Sequence, residues 1–372
     1  MLISYHQKFT YKMQTIKHLC LALLFSVIGL NGAVASDHFK VLTEQAIAVK
    51  SPDHVVLISV TRAGSRLVAV GEHGVIIFSD DDGQTWRQAL VPVSVVIVTV
   101  AFSNPNEGWA AGDYGVILHT DDGGATWQLQ ISGIQVNQLI MTAATRFAAS
   151  DPANPASQRA VRRASFFMQD GPDKPFLTIL PFGPQKVMVF GAYRMCVESD
   201  DRGKSWTDCS LDVLDPISHN LYDVIEAGSS IYIAGEVGNI FRSVDGGKTF
   251  LPVTEPAVNT LFGILNTNDS ALIAFGVAGH MFRSTDHGTT WSPVKINAGA
   301  NLTAGIILNS GHILIVSEAG DVFSSTDDGL TFHQTDENLG MGLYDLTLAE
   351  NGDLIFVGTA GVRVLPVASF SQ

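Results

Sequence analysis

The chain has 372 residues, 46% of them apolar and 16% charged, and its 36 acidic against 22 basic side chains give a net charge of −14. Such a surface repels phosphate backbones and anionic headgroups, which excludes nucleic acid as a partner. Thirty-five glycines with so few charges fit short strands joined by many tight turns.

The first 35 residues read as a targeting segment. Lys8, Lys12 and Lys17 precede an apolar stretch from Leu19 to Leu30, and Ala33-Val34-Ala35 supplies the small-x-small pattern of a signal-peptidase site. The stretch is short for a bilayer span, so the expectation is a cleaved signal peptide over residues 1–35 and a periplasmic product. Met13 is an alternative start, and an uncleaved anchor is the other reading. Cys20 opens the apolar run without the small residues that precede a lipidated cysteine. Cleavage removes three lysines and no acid, leaving 19 basic against 36 acidic side chains, a net −17.

From Gly71 onward one motif recurs: Gly-x-x-Gly, a short strand, then Ser/Thr-x-Asp-x-Gly-x-Thr/Ser-Trp/Phe, an Asp-box. The first copy has Gly71, Gly74, Ser79, Asp81, Gly83, Thr85 and Trp86, and the second runs from Gly112 through Asp122 to Trp127. The third starts at Gly191, with Arg194 replacing the second glycine, and carries Asp201 and Trp206. Copies led by Gly235, Gly276 and Ser317 carry Asp245 and Phe250, Asp286 and Trp291, and Asp327 and Phe332; a half-copy, Gly358 and Gly361, has no Asp-box. The leading positions are 41, 79, 44, 41, 41 and 41 residues apart. A period near 41 is one four-stranded blade, so the expected fold is all-β, a seven-bladed β-propeller over residues 36–372.

Each part of the motif has an expected task. Gly-x-x-Gly makes the turn between second and third strands, where positive φ is needed. The six Asp-box carboxylates, Asp81, Asp122, Asp201, Asp245, Asp286 and Asp327, accept hydrogen bonds from turn amides, and the following aromatic packs between blades. That makes them structural; calcium binding or catalysis is the alternative.

The 79-residue interval holds about 38 residues too many. Val136, Leu139, Ile140, Ala143, Ala144 and Phe147 trace one face of an amphipathic helix. Ser150 to Pro155 is a breaker cluster, and a second helix runs from about Ser157 to Met168. A helical hairpin over residues 134–169, inserted before blade three, is therefore expected rather than an eighth blade. Arg146, Arg159, Arg162 and Arg163 sit in it, a third of all arginines in an acidic protein. They mark a surface for a protein partner, or else the helices pack on the propeller and the arginines are solvated or paired with its acids.

Cys196 and Cys209 flank the hairpin turn near Arg202. In an oxidising compartment they permit a disulfide, with two free buried thiols as the alternative. At the C-terminus the last repeat lacks an outer strand. The segment from Phe39 to Val49 is otherwise unassigned, and it is expected to complete that blade and cover its open edge. The eleven histidines show no metal-ligand spacing, each Gly-x-x-Gly sits in a β-hairpin and not before a helix, and Gly-x-Ser-x-Gly is absent. Catalytic residues, metal and cofactor are all expected to be none, and the chain to be a monomer.

The Gly-x-x-Gly plus Asp-box unit across residues 40–366 resembles the photosystem II stability/assembly factor family. The segment Asp170-Gly171-Pro172-Asp173-Lys174-Pro175-Phe176 after the insertion looks like its branch in bacteria that do not photosynthesise. The resemblance implies an exported, non-enzymatic scaffold that helps assemble or stabilise an envelope or membrane complex, a transport complex included. The rival reading is an Asp-box glycoside hydrolase of sialidase type. A sialidase needs an arginine triad with one member in an Arg-Ile-Pro segment, which this chain lacks. Ordinary glycoside hydrolysis needs two carboxylates across a cleft, and none stands out from turn chemistry.

Overall fold

The computed structural model describes residues 39–183, 185–210, 217–253 and 259–370. The expected signal peptide lies outside them. Among the described residues, seven small antiparallel sheets form the blades of a propeller, six of four strands and the last of three. Blade one comprises Leu57–Ala63, Arg66–Gly71, Ile76–Ser79 and Arg87–Gln88, from the axis outward. The innermost strands of the others are Ile97–Phe102, Phe176–Phe182, Leu221–Ala227, Leu261–Asn266, Leu302–Ile307 and Leu343–Leu348. Each inner strand touches the next, and the last touches the first, so the ring is closed.

Burial follows strand position. The second strands are continuous apolar runs, as in Leu67–Val70 and Leu354–Val357, because both of their faces are covered by neighbouring blades. Every Asp-box aromatic fills the seam between its own blade and the preceding one. Trp127 packs with Val68 of blade one and edge-on to Phe102, Phe250 stands edge-on to Phe190 of blade three, and Phe332 joins Ile273 of blade five.

Two expectations are corrected. The segment from Phe39 does not complete blade seven. It lies across blades one and two, where Ala46 N donates to Val91 O at 3.1 Å and Ser94 N to Val41 O at 2.8 Å. Gln88 clamps it from blade one, accepting from Val49 N at 3.0 Å and donating to Ile47 O at 2.7 Å, while Leu42 is buried with Val91 and Val93. Among the described residues, blade seven has three strands, Leu343–Leu348, Asp353–Gly358 and Gly361–Pro366. After Gly361–Pro366 the chain makes a short turn, Val367–Phe370, whose buried Phe370 meets Phe356 at 5.7 Å among Leu314 and Val316 of blade six. Phe370 thus fills the seam that an Asp-box aromatic fills elsewhere.

The leading glycines also depart from the expected positive φ. Gly71 has an extended φ of −166°, and positive φ falls on His73 and Gly74. Gly71 is required for a different reason: a Cβ there would stand 2.1 Å from Val56 O, where the chain enters the inner strand.

The insertion is a pair of helices, α1 (Gly133–Ser150) and α2 (Pro155–Asp170). Ser132 caps α1 in a capping box with Gln135; Asn154 caps α2, with Pro155 at its first position. Val136, Ile140 and Ala144 of α1 and Ala160, Ala164 and Phe167 of α2 are buried with Trp109 of blade two and Phe176, Met195 and Trp206 of blade three. Buried Asn137 ties the helices together, its Nδ2 donating to Phe167 O and Gly171 O, both at 3.0 Å.

Cys196, in the third strand of blade three, and Cys209, just beyond the outer strand, form a disulfide with a Cα separation of 4.9 Å. It closes a short loop in a blade whose outer strand is only Thr207–Asp208. Reduction, or Cys209→Ser, is expected to cost about 2–4 kcal/mol. Denaturant midpoints with and without reductant test this, and coincident midpoints contradict it.

Candidate functional site

The Asp-boxes share one geometry. At Asp245, Oδ1 accepts from Ser243 Oγ at 2.7 Å and from Thr249 N at 3.0 Å, and Oδ2 accepts from Thr249 Oγ1 at 2.6 Å. Ser243 Oγ in turn accepts from Gly247 N at 2.9 Å. The same bonds recur at Asp81, Asp122, Asp201, Asp286 and Asp327. Each carboxylate is thus occupied in fastening its own turn. The hydroxyls of Ser205 and Thr290, helped by amides, hold Asp201 and Asp286 down to about 2, and the Thr249 hydroxyl likewise lowers Asp245. Burial opposes the shift at Asp122 and Asp327, yet the bonds still win.

A second set of positions converges on the axis. In every blade the inner strand loses register at its second residue, between Leu57 and Ser59 in blade one and between Leu343 and Asp345 in blade seven. A bulge re-aims a side chain. Here the residues at that position line the central channel: Ile58, Val98 and Leu177 from blades one to three, Tyr222 and Phe262 from four and five, Thr303 and Tyr344 from six and seven. One layer deeper lie Ser59, Thr99, Thr178, Asp223, Gly263, Ala304 and Asp345 around a space of about 360 Å³.

The two acids of that layer bridge blades. Asp223 Oδ2 accepts from Ile264 N of blade five at 2.9 Å, and Oδ1 from Val224 N at 2.8 Å. Asp345 Oδ2 accepts from Val60 N and Ser59 Oγ of blade one, both at 2.9 Å, across the seam where the ring closes. Both are partly open to the channel, whose walls give a charge little hydration. Burial outweighs the amide bonds and pushes each carboxyl up to about 6. Neither acid stands out among the other strand acids of the sequence. The available signal was the tripeptide Leu-Tyr-Asp, which occurs at Leu221 and again at Leu343, three periods later.

The hairpin stands on the face where the Gly-x-x-Gly turns lie, α1 touching the turn Asp113–Gly115. The four arginines do not act alike. Arg146, Arg159 and Arg162 are exposed. Arg163 is turned inward, its Nη1 donating to Tyr193 O at 3.2 Å and its guanidinium 5.7 Å from the Phe167 ring centre. It also offsets the burial that raises Asp208. One helical turn beyond Arg162 stands Phe166, 45% exposed, and Met168 and Tyr193 are 47% and 44% exposed, with the Phe166 and Tyr193 rings 6.2 Å apart. Lys174 is buried beneath Phe166 and paired with Asp170 and Asp173. Among the described residues no group of three or more His, Cys, Asp or Glu side chains is arranged to hold a metal, and no helix is long and apolar enough to cross a membrane.

A family model described as photosynthesis system II assembly factor YCF48 matches residues 84–147 and 173–338, leaving out α2. Over 67 residues the chain is 36% identical to the photosystem II assembly lipoprotein Ycf48 of Synechococcus sp. (strain CC9902), a match covering 18% of this chain and only 20% of that protein. A solved structure of YCF48 bound to D1 peptide superposes with a TM-score of 0.61 at 17% identity, over 85% of this chain and 97% of that one. The GH74 enzyme of Niastella koreensis superposes with a TM-score of 0.59 at 13% identity, over 86% of this chain and 53% of the enzyme. At these identities the structural likenesses show the fold alone.

The two kinds of aspartate predict opposite pH limbs. Asp223 and Asp345, raised in the folded state, bind protons more readily there than when unfolded, so stability rises as pH falls from about 7 toward 5. The lowered Asp-box groups are stabilising above the ordinary carboxylate range, and that contribution is lost as pH falls from about 4 toward 2. Urea midpoints across this range should pass through a maximum near pH 5, and Asp223→Asn with Asp345→Asn should flatten the upper limb alone. A monotonic rise from pH 5 to 7 in the unmodified protein contradicts the account.

Proposed function

This chain belongs to the YCF48 family of photosystem II assembly factors, and from that membership we propose that it is an exported, non-enzymatic scaffold that binds a protein of an envelope or membrane complex. The observation that supports this reading most is the outer surface of the hairpin. Three exposed arginines and the exposed Phe166 and Met168 share this packed hairpin, with Tyr193 of the blade-three turn against Phe166, on a protein whose net charge is strongly negative. Large apolar side chains flanked by arginine are the composition of interface hot spots. The relative solved with a D1 peptide supports a polypeptide as the ligand, and the relative named a lipoprotein supports placement at the envelope.

The hydrolase reading has less support. The two channel acids, Asp223 and Asp345, already accept hydrogen bonds from backbone amides of the inner strands, and the Asp-box carboxylates are occupied by their turns.

Deleting the hairpin would strip cover from Phe176 and Trp206, so surface charge reversal is the cleaner experiment. Arg146→Glu, Arg159→Glu and Arg162→Glu together should leave the melting temperature unchanged and cut recovery of bound proteins from native envelopes about ten-fold or more. Undiminished recovery removes the hairpin from the interface. The unmodified protein should be inert on fluorogenic sialosides and a glycoside panel, and steady turnover would sink the scaffold reading.

A further inference from the structure

On the face that carries the hairpin, the channel widens into a cavity of about 410 Å³. Its walls are the bulged side chains: Tyr222, Phe262 and Tyr344 present aromatic surface along one arc, and Ile58, Val98 and Leu177 aliphatic surface along the other. Tyr222 and Phe262 meet edge to face at 5.2 Å.

The charge of this mouth has one sign. Glu72 and Glu318 lie at its rim, each in the first turn position after the second strand, a position that Asp113 and Glu236 hold in blades two and four. Asn301 Nδ2 donates to Glu318 at 2.9 Å, which holds that carboxylate at the rim. Beneath the mouth stand Asp223 and Asp345. Among the described residues no lysine or arginine lines either the mouth or the channel below it.

Aromatic and aliphatic walls capped by carboxylates complement one kind of group, a cation on an apolar shaft. The ring faces and the carboxylates both attract the charge, and the walls take the methylenes. An acidic tip would meet like charge on entering, and a wholly apolar one would desolvate the rim carboxylates without pairing them. The volume lies in the range of a small-ligand pocket, roughly 300–1,000 Å³, which suits one or two side chains and no folded element.

We propose that the channel mouth receives a short basic–apolar segment of the partner protein, a lysine or arginine beside an apolar residue, inserted along the axis. This rests on the partner-binding reading above and names the chemistry of a second contact. The outward arginines and the acidic mouth make the face bipolar, so a partner carrying both charges docks in one orientation.

The test uses the full exported chain and a degenerate library of short peptides. Retained peptides should be enriched in lysine or arginine next to leucine, phenylalanine or tyrosine. A consensus peptide should bind about five-fold or more weakly to Glu72→Gln with Glu318→Gln, and more weakly again at high salt. Tyr344→Ala should weaken it without moving the salt dependence. No enrichment, an acidic or uncharged consensus, or unchanged affinity in the Glu72/Glu318 variant overturns the proposal. Benzyltrimethylammonium binding as tightly as the peptide also overturns it, in favour of a small-molecule site. The two readings fail separately: envelope proteins that bind the unmodified chain and the Glu72/Glu318 variant equally leave the scaffold standing and remove the mouth from it.

Discussion

A single blade of this protein cannot bury its own faces, and the rest of the structure depends on that deficit. Second strands such as Leu67–Val70 and Leu354–Val357 are apolar on both sides, so each blade needs a neighbour on the left and another on the right. A linear stack would leave two raw faces at its ends, and closing the ring removes both. Blades one and seven meet through Leu57, Val60 and Ala69 against Ile355 and Val357, and Asp345 stitches their inner strands by accepting from Val60 N. Among the described residues no strand is exchanged across the seam. The apolar contact resembles every other blade junction, and Phe370 supplies the aromatic that blade seven lacks.

Closure then dictates what lies on the axis. Seven inner strands in register bring their second residues to one level, and the bulge in each strand aims those side chains at the channel. An acid one residue further in has little water to draw on, so Asp223 and Asp345 turn to backbone amides of the adjoining blades. The same confinement that makes them good fasteners raises their proton affinity. The Asp-box acids sit at the rim of the disc, where solvent and three or four hydrogen-bond donors stabilise the charge. One residue type thus does two jobs, separated by radius.

The helical hairpin follows the same economy of burial. Its apolar faces close over the junction of blades two and three, and only the residues left outside that contact are available to a partner. Arg163 shows the distinction. It lies one residue from Arg162, but a helix turns about 100° per residue, and Arg163 is carried inward to Tyr193 while Arg162 stays in solvent.

Most of the fold was legible in the chain itself. Blade number, Asp-box turns and the two helices are local features, carried by Gly-x-x-Gly, Ser/Thr-x-Asp-x-Gly and a 3.6-residue apolar period, each of which acts within a few residues of itself. What the sequence could not decide was set by contacts between distant segments. The route of Phe39 to Val49 depends on Gln88 and Val91, whose backbone partners become available only once blades one and two are formed. The role of Phe370 depends on a seam between two blades, although its spacing from Phe332, close to one period, was a readable hint. The leading glycines answer to a carbonyl of the incoming inner strand rather than to their own dihedral angles. Asp223 and Asp345 looked like ordinary strand acids until ring closure placed them on the axis, because the environment that defines them is made by all seven blades together.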